Sequence, residues 1–348
     1  EALEEIVPAD SEAIRRSEAR WASIAKPLGS LGVLETSVTK IAGIKGDDYV
    51  HLGKKAVIAM CADNGVVEEG VTQTGQEVTA IVTENMAKDM SSVCQMAKIA
   101  GADMFPVDIG VYRPVVGEKI LQKCVRRCTA NITKGPAMTP EEAKQAIETG
   151  IDLIGELKER GYGIFATGEM GIGNTTTSSA VVSVLLDQPV EMMTGRGAGL
   201  STEGYQKKIN AIKKAIEVNR PDPDDAFDVL WKIGGLDIAG LVGIFLGGAV
   251  HHVPIVIDGF ISGAAALIAQ RIRPETKDYM LGSHISREPA GRILIGELGV
   301  DTVIDAGMCL GEGTGAVAFF PILDMALAVY HNMTTFEATN IEAYVPQN

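Results

Sequence analysis

The sequence predicts an α/β fold, a doubly wound and mostly parallel sheet flanked by helices. Short apolar runs recur along the 348-residue chain, and each run ends in polar residues or glycine. Stretches with helical patterns lie between the runs. This alternation of strands and helices is typical of a parallel sheet. Ligands of such sheets bind beyond the carboxyl ends of the strands, where the polar residues of this chain collect.

Five apolar runs are predicted as strands. The first is KKAVIAMCADNG at 54–65, and the others lie at 102–110, 162–168, 253–259 and 303–307. Buried parallel strands read as continuous apolar runs rather than as alternating patterns. We therefore expect the polar residues that follow each run to meet at one edge of the sheet.

Helical patterns fill the intervals. They cover 11–44 with an interruption at 26–32, and then 139–160, 203–218, 236–248, 263–271 and 321–338. The segment from residue 139 opens with TPEE, a capping box with proline at the first helical position. The last helix is expected to return to the N-terminal helices. Residues 1–45 and 321–348 are thus predicted to form a small helical lobe beside a sheet domain of residues 46–320.

The charge of the chain bears on its partners. Lysine and arginine total 31 and aspartate and glutamate total 45, so the net charge is 31 − 45 = −14. This balance argues against nucleic acid or an anionic membrane as the main partner. It leaves open a small anionic ligand, because helix N-termini and glycine-rich turns bind phosphate locally.

Location is indicated by two further observations. The longest apolar stretches, such as 253–257, are too short to span a bilayer, and no basic-then-apolar leader is visible. The five cysteines are odd in number and widely scattered, which favours reduced thiols and a cytoplasmic protein. Cys124 and Cys128 resemble half of a metal site, but no second pair follows.

A glycine-rich segment, GEMGIGNTTTSSA at 168–180, follows a predicted strand and opens a predicted helix. Its glycines allow close approach, and several backbone N–H groups of the turn would point outward. This arrangement suits a phosphate or a sugar phosphate. The alternative is a tight strand-to-helix turn with a good N-cap. The segment is not a Walker A loop, because no GK[ST] follows it.

A second loop, GMCLGEGTGA at 307–316, contains one ionisable carboxylate, Glu312. Such an acid can cap a helix, bind a cation or take a proton from a bound molecule. Asp63 and Asp258 follow predicted strands, where they can bind magnesium or hold loops by hydrogen bonds. Lys208 lies in a lysine-dotted helix that reads as a solvated face, and His284 reads as a structural histidine rather than a base.

Seven blocks carry a resemblance to a known family. They are KPLGSLGVLE, CADNGV, GEMGIGNTT, GGLDIAG, DGFISGAAAL, SHISRE and MCLGEGTGA, in this order. From about residue 13 to 340, the chain resembles the nicotinate-nucleotide–dimethylbenzimidazole phosphoribosyltransferase family. Any one block alone would be weak, whereas seven in order are specific.

The resemblance implies a reaction and a set of residues. Nicotinate mononucleotide and an aromatic base of the benzimidazole class would give an α-riboside 5′-phosphate and nicotinate, with inversion, in a metal-free and cofactor-free homodimer. Glu312 would be the general base, and Glu169 would lie near the ribose and the base. The nucleotide site would comprise Gly171, Gly173, Asn174, Thr175, Lys208, Ser286, Gly311 and Gly313.

The implied base site comprises Asn64, Thr74, Val82, Met170 and Leu310. Asn64 replaces the histidine of the common CADHG block, and Thr74 and Val82 stand where some members carry serine and glutamine. A less polar wall at Val82 removes a hydrogen-bonding partner for the acceptor. We therefore expect relaxed or altered base choice, with purines and phenolic compounds as alternatives.

The sequence leaves two rival functions open. One is a magnesium-dependent hydrolase or phosphotransferase that uses Asp63 and Asp258. The other is a subunit that needs a second, similar chain, as some relatives of the family do.

Overall fold

The computed structural model describes residues 2–339 and 341–344. The strands are β1 (Lys54–Ala62), β2 (Ala102–Gly110), β3 (Leu121–Gln122), β4 (Tyr162–Met170), β5 (Ile255–Ile257) and β6 (Met280–Gly282). The helices are α1 (Ser11–Ser23), α2 (Val33–Lys45), α3 (Glu77–Ala87), α4 (Ser92–Ala100), α5 (Pro140–Glu159), α6 (Asn174–Leu185), α7 (Val190–Met193), α8 (Thr202–Asn219), α9 (Ala226–Ile233), α10 (Leu236–Val250), α11 (Phe260–Ile272), α12 (Gly291–Leu298), α13 (Thr314–Asn332) and α14 (Phe336–Thr339). Short 3₁₀ helices span Ala2–Glu5, Gly65–Glu69 and Pro274–Tyr279.

The sheet has the strand order β3-β2-β1-β4-β5-β6, and every pair of neighbours is parallel. β1 lies at the centre, where Lys55 is in register with Ala102 of β2 and Ile164 of β4. The strand order reverses between β1 and β4. In an open parallel sheet this switch point opens a crevice at the carboxyl ends of the strands. The predicted α/β fold is confirmed.

Two edge strands differ from the prediction. The sequence predicts a strand at 303–307, but only Ile304 pairs there, through an isolated bridge to His284. β6 occupies the edge instead, and all three of its residues are buried. Val303 and Ile304 are only half-buried, so this run lacks the burial that a sheet strand of this fold requires. β3 is missing from the prediction, because two residues carry no periodic signal.

Helices cover both faces of the sheet. α5, α6, α10 and α11 contribute to one apolar core, and α2, α4 and α13 contribute to the other. α10 is buried along almost its whole length, which its alanine- and glycine-rich sequence permits. Its glycines let it lie against α5, since a Cβ at Gly243 would be 2.1 Å from the carbonyl oxygen of Ile147. This close packing leaves the carboxyl ends of the strands free for loops.

Local signals place most helices correctly. The capping box of α5 is present, with the N–H of Glu142 donating to Oγ1 of Thr139 at 3.1 Å and the N–H of Thr139 donating back to Oε2 of Glu142 at 2.8 Å. The last helix is predicted to begin at Pro321, but α13 begins at Thr314 and contains Pro321 in its interior. The cap of α13 comes from Asp258, which is distant in sequence, so no local signal marks its start.

α13 also corrects the expectation that no apolar stretch is long enough to cross a membrane. An 18-residue stretch of this 19-residue helix has a mean hydropathy of 1.4, so α13 is long and apolar enough to cross a membrane by length and composition. Half of that stretch is buried inside the protein, where α13 packs against α2, α4 and β4. A core helix of this kind passes the same test, so we interpret α13 as a core helix.

The division of the chain into two domains stays a prediction. α1 packs on α2, and α2 packs on α13, so both chain ends do contribute helices to one face of the sheet. The predicted boundary at residue 321 falls inside α13. Residues 1, 340 and 345–348 of the predicted lobe lie outside the described residues.

The packing of α5 on α10 can be tested with Gly150→Ala. A Cβ at Gly150 would lie 2.4 Å from the carbonyl oxygen of Gly240, so we expect the substitution to lower the free energy of unfolding by about 1–3 kcal/mol. Urea denaturation measures this change. Gly296→Ala is the matched control, because nothing lies within 4 Å of that position and alanine should stabilise the helix by about 0.5–1 kcal/mol. Equal stability of the two variants would contradict the packing.

Candidate active site

A cavity of about 740 Å³ opens at the carboxyl ends of the strands. Residues that follow β1, β4, β5 and β6 line it, together with the loop at 196–200 and the loop before α13. This is the crevice that the strand order predicts at the switch point. Sequence-predicted residues at the wall are Glu312, Glu169, Gly171, Gly173, Asn174, Thr175, Lys208, Ser286, Gly311, Thr74, Met170 and Leu310.

Three predicted site residues do not line the cavity. Gly313 lies behind the wall as the N-cap of α13. Asn64 is fully buried, close to Gly235, where a Cβ would lie 2.6 Å from its Oδ1. Val82 lies on α3 and packs against the apolar core that contains α4 and α13. The roles of all these residues in binding and catalysis remain predictions.

The loop that carries Glu312 has an unusual backbone. Glu312 has a φ of 60°, and its neighbours Gly311 and Gly313 have φ values of 87° and 95°. A non-glycine residue in this left-handed region is disfavoured by about 1–2 kcal/mol. Glycine is also required for space, because a Cβ at Gly311 would lie 2.4 Å from Oε1 of Glu169 and a Cβ at Gly168 would lie 2.5 Å from the carbonyl oxygen of Glu312. The loop therefore packs directly on the end of β4.

Asp258 holds this loop in place. Its Oδ1 accepts hydrogen bonds from the N–H groups of Gly315 at 2.7 Å and Ala316 at 3.0 Å, and its Oδ2 accepts one from Gly313 at 3.1 Å. The carboxylate is buried and caps the N-terminus of α13, where negative charge is favoured. Asp258 thus fixes the start of α13 and the position of Glu312.

The carboxylates considered for magnesium are used by the backbone instead. Asp258 bonds three N–H groups, and Oδ2 of Asp63 accepts the N–H of Tyr112 at 2.9 Å. In the part of the chain that the structure describes, no group of three or more His, Cys, Asp or Glu residues is arranged to hold a metal ion. Of the two roles left open for these aspartates, holding loops is the one that the geometry supports.

Glu312 lies at the wall of the cavity, and one oxygen of its carboxyl group lacks a partner in the part of the chain that the structure describes. Its Oε2 is buried and has no hydrogen-bond partner among the described residues. Burial raises the pKa of Glu312, as does the negative charge of Asp258, whereas a hydrogen bond from the backbone N–H of Val93 lowers it. A half-buried carboxyl group with a raised pKa and a free oxygen can accept a proton from a bound ligand.

Glu169 is more deeply buried. Its Oε2 accepts a hydrogen bond from Nδ2 of Asn174, and the same nitrogen donates to Oδ2 of Asp237 at 3.1 Å. Burial raises the pKa of Glu169 to about 8. The Asn174 side chain is therefore engaged by carboxylates rather than pointed at an anion. Asp237, in the GGLDIAG block, is not among the predicted site residues, although an acid among glycines is a signal in that block as it is around Glu312.

Lys208 of α8 and the start of α6 form one corner of the cavity wall. α6 begins after Gly173 without a side-chain cap, and the N–H groups of Asn174, Thr176 and Thr177 donate to the carbonyl oxygens of Gly171 and Gly173. The positive end of the helix dipole lies at this part of the wall. Lys208 is only 1% exposed, and its Nζ donates to Oγ1 of Thr175 at 2.8 Å and to the carbonyl oxygen of Gly195 at 3.1 Å. Burial lowers the pKa of Lys208 to about 8, and the nearby carboxylate of Glu288 opposes this shift. The interpretation of Lys208 as a solvated lysine is wrong.

Further residues at the wall are missing from the sequence prediction or carry little weight in it. Arg196, Arg287 and Glu288 line the cavity, and Oε2 of Glu288 is buried without a partner among the described residues. His284 also lines it, with Nδ1 at 3.1 Å from Oγ of Ser283, and it leaves no room for a Cβ at Gly315. Charged residues on loops carry no periodic signal, so only the tertiary structure brings them to the cavity.

The fold is that of a phosphoribosyltransferase. A family model described as Phosphoribosyltransferase matches residues 6–341, and the chain belongs to that family.

Relatives and solved structures give the family a more particular character. The protein named nicotinate-nucleotide–dimethylbenzimidazole phosphoribosyltransferase from Acetivibrio thermocellus is 51% identical over 94% of this chain and 93% of its own length. The protein of the same name from Clostridium acetobutylicum is 47% identical, over 97% of this chain and 96% of its own. The crystal structure of CobT from Thermus thermophilus superposes with a TM-score of 0.91 at 35% identity, covering 96% of this chain and 100% of that one. The resemblance drawn from the seven sequence blocks is confirmed.

The clamp on the Glu312 loop can be tested with Asp258→Asn. An amide cannot accept the hydrogen bond from Gly313 with its nitrogen, so we expect the loop at 311–316 to open more often and its amides to exchange at least about tenfold faster. Hydrogen–deuterium exchange measured by mass spectrometry reports this change. Asp108→Asn is the matched control, since Asp108 is also buried at a strand end but accepts the N–H of Val111. Equal exchange of 311–316 in both variants would contradict the clamp.

Proposed function

We propose that this chain transfers the 5-phosphoribosyl group of nicotinate mononucleotide to a nitrogen of a benzimidazole-type base. The products are an α-riboside 5′-phosphate and nicotinate. The observation that carries the proposal is Oε2 of Glu312, which is buried without a partner among the described residues, in a side chain that lines the same cavity as Lys208. The names of the relatives support the same reaction.

The chemistry requires one proton acceptor. One nitrogen of the base forms a bond to C1′ of the ribose while the bond from C1′ to the nicotinate nitrogen breaks. The electron pair of the broken bond stays on that nitrogen, so the positively charged ring becomes neutral and leaves without acid help. The other nitrogen of the base loses its proton, and Glu312 is placed to take it. Positioning of the two substrates in one cavity supplies much of the remaining acceleration.

The ribose phosphate is assigned to the corner formed by α6 and α8. Lys208 supplies positive charge there, Thr175 and Ser286 supply hydroxyl groups, and the N-terminus of α6 supplies the positive end of its helix dipole. Within the described part of the chain, Lys208 has two acceptors, so its ammonium group has a third proton for an oxygen of the phosphate.

The aromatic base is assigned to the wall formed by Met170, Leu310 and Thr74. Leu310 is 59% exposed, which leaves a large apolar side chain free to cover a flat ring. Val82 packs into the core of the protein instead, so the expectation of altered base choice rests on Thr74 alone.

The test of the reaction is a product assay with Glu312→Gln. Wild-type protein is mixed with nicotinate mononucleotide and a panel of dimethylbenzimidazole, 5-methoxybenzimidazole, adenine and p-cresol, and the products are identified by chromatography and mass spectrometry. Loss of the proton acceptor should lower kcat by roughly 10²–10⁴-fold. The exposed Glu297→Gln is the matched control and should retain full activity.

The pH dependence gives the same assay a second readout. The base must be ionised, so the rate should fall as the pH falls through the raised pKa of Glu312. The acidic limb of the pH–rate profile should therefore lie at a pH above the ordinary glutamate pKa of about 4.3. This limb should be absent from the profile of Glu312→Gln. Product formation by the variant at the wild-type rate would overturn the role of Glu312. No product with any base would overturn the reaction.

The phosphate corner can be tested with Lys208→Met. The loss of a buried ammonium group should weaken the binding of nicotinate mononucleotide by about 10–100-fold, as measured by calorimetry. Lys207→Met is the matched control, because the neighbouring Lys207 is 54% exposed and pairs with Glu203. If both variants bind the nucleotide equally well, the phosphate does not lie in this corner.

The remaining parts of the proposal concern partners and place. We propose that the chain acts in the cytoplasm as a homodimer and without a metal ion. Light scattering of the purified chain and activity in the presence of EDTA test these statements. Activity that appears only after a second, similar chain is added would favour the two-chain alternative.

A further inference from the structure

One buried carboxylate behind the cavity wall has no role in the proposed reaction. Asp237 is fully buried at the start of α10, and it does not line the cavity. Its Oδ1 accepts the N–H of Ile238 at 3.0 Å, and its Oδ2 accepts a hydrogen bond from Nδ2 of Asn174 at 3.1 Å. The same Asn174 nitrogen donates to Glu169 at the cavity wall. One amide group thus joins a hidden carboxylate to the wall of the site.

Glycines of two sequence blocks pack directly against the hydrogen-bonded pair of Asn174 and Asp237. A Cβ at Gly171 would lie 2.5 Å from Oδ2 of Asp237 and 3.2 Å from Nδ2 of Asn174. A Cβ at Gly235 would lie 2.5 Å from Oδ1 of Asp237. The glycines of GEMGIGN and GGLDIAG therefore leave space for one shared unit, although 63 residues separate Asn174 from Asp237.

The charges that face Glu169 are negative or neutral. Asp237 faces it from α10, Asp258 faces it from the segment after β5, and the backbone N–H of Glu312 approaches it from the loop before α13. Cys61 faces it from β1 as a neutral thiol, because burial raises the pKa of Cys61 to about 12. Among the described residues, no lysine or arginine forms an ion pair with either Glu169 or Asp237.

Glu169 and Asp237 are both buried and accept hydrogen bonds from the same nitrogen of Asn174, so the ionisation of one disfavours the ionisation of the other. Like charges in a low-dielectric interior disfavour each other, and such a pair titrates in two coupled steps. Burial raises the pKa of Asp237 to about 6 and that of Glu169 to about 8, so the proton belongs mainly to Glu169. Asp237 is then the charged partner at neutral pH.

We propose that Asp237 is a positioning residue for the transfer: through Asn174 it orients Glu169 and keeps a proton on that carboxyl group at neutral pH. Glu169 then presents a hydrogen-bond donor to an oxygen of the bound nucleotide, while Glu312, ionised, serves as the base. The two glutamates of the cavity thus have opposite protonation states. This inference rests on the proposed phosphoribosyl transfer.

The test measures activity against pH in the wild type and in Asp237→Asn and compares the basic limbs of the two profiles. In the wild type, activity should fall as the pH rises through about 8, where both Glu169 and Lys208 lose a proton. Removal of the neighbouring negative charge makes ionisation of Glu169 easier, so the basic limb should move to lower pH by about one unit. KM for the nucleotide should change little, because the phosphate corner is untouched. A basic limb that stays in place would overturn the proposal.

Glu169→Gln provides a second variant that does not depend on Asp237. Glutamine mimics a carboxyl group that always carries a hydrogen-bond donor, so kcat should stay within about tenfold of wild type. The part of the basic limb that belongs to Glu169 should disappear, which leaves the part that belongs to Lys208. A loss comparable to that of Glu312→Gln would overturn the proposal. Asp108→Asn is the matched control for neutralising a buried strand-end aspartate, and its basic limb should equal that of the wild type.

An infrared measurement separates failure of this inference from failure of the proposed function. The wild-type protein at pH 7 should show the C=O stretching band of a protonated carboxyl group, which is lost in Glu169→Gln and weakened in Asp237→Asn. The band does not depend on catalysis. Its presence without any product would leave the protonation scheme and reject the reaction, whereas its absence from an active wild-type protein would reject the scheme alone.

Discussion

The site depends on the capping of α13 by Asp258. Three backbone N–H groups at the start of this helix converge on one buried carboxylate that follows β5. A buried helix terminus without partners for these groups would be unstable, because each unpaired donor costs about 1–3 kcal/mol. The same contact fixes the left-handed backbone of Glu312 and its distance from the end of β4. The start of α13 and the proposed base are therefore held by one interaction.

The cavity is lined by both positively charged and carboxyl side chains. One wall carries a buried ammonium group and a helix N-terminus, which suit the phosphate of a nucleotide. Glu169 and Glu312 also line the cavity, and burial raises the pKa of both carboxyl groups, which suits proton transfer near neutral pH. In the proposed function, the local positive charge lets a protein with a net charge of −14 bind an anion.

Much of the fold could be predicted from the sequence, and the errors have a common cause. β1 and β4 are long buried strands, so their apolar runs were sufficient, and the capping box of α5 is read from four consecutive residues. β3 and β6 are too short for a pattern, and the run at 303–307 is apolar without being buried in the sheet. Burial at an edge depends on neighbours that local sequence does not specify.

By itself, the sequence determined the class of fold, the family and a set of site residues that the structure brings mostly to one cavity, because strand ends, caps and glycine loops are encoded by adjacent residues. Only the tertiary structure decided that α13 begins before Pro321, that Lys208 is buried, and that Asn174 joins Glu169 to Asp237. Each of these outcomes depends on contacts between segments far apart in the chain. Burial and charge at those contacts, rather than residue type alone, set the chemistry of the site.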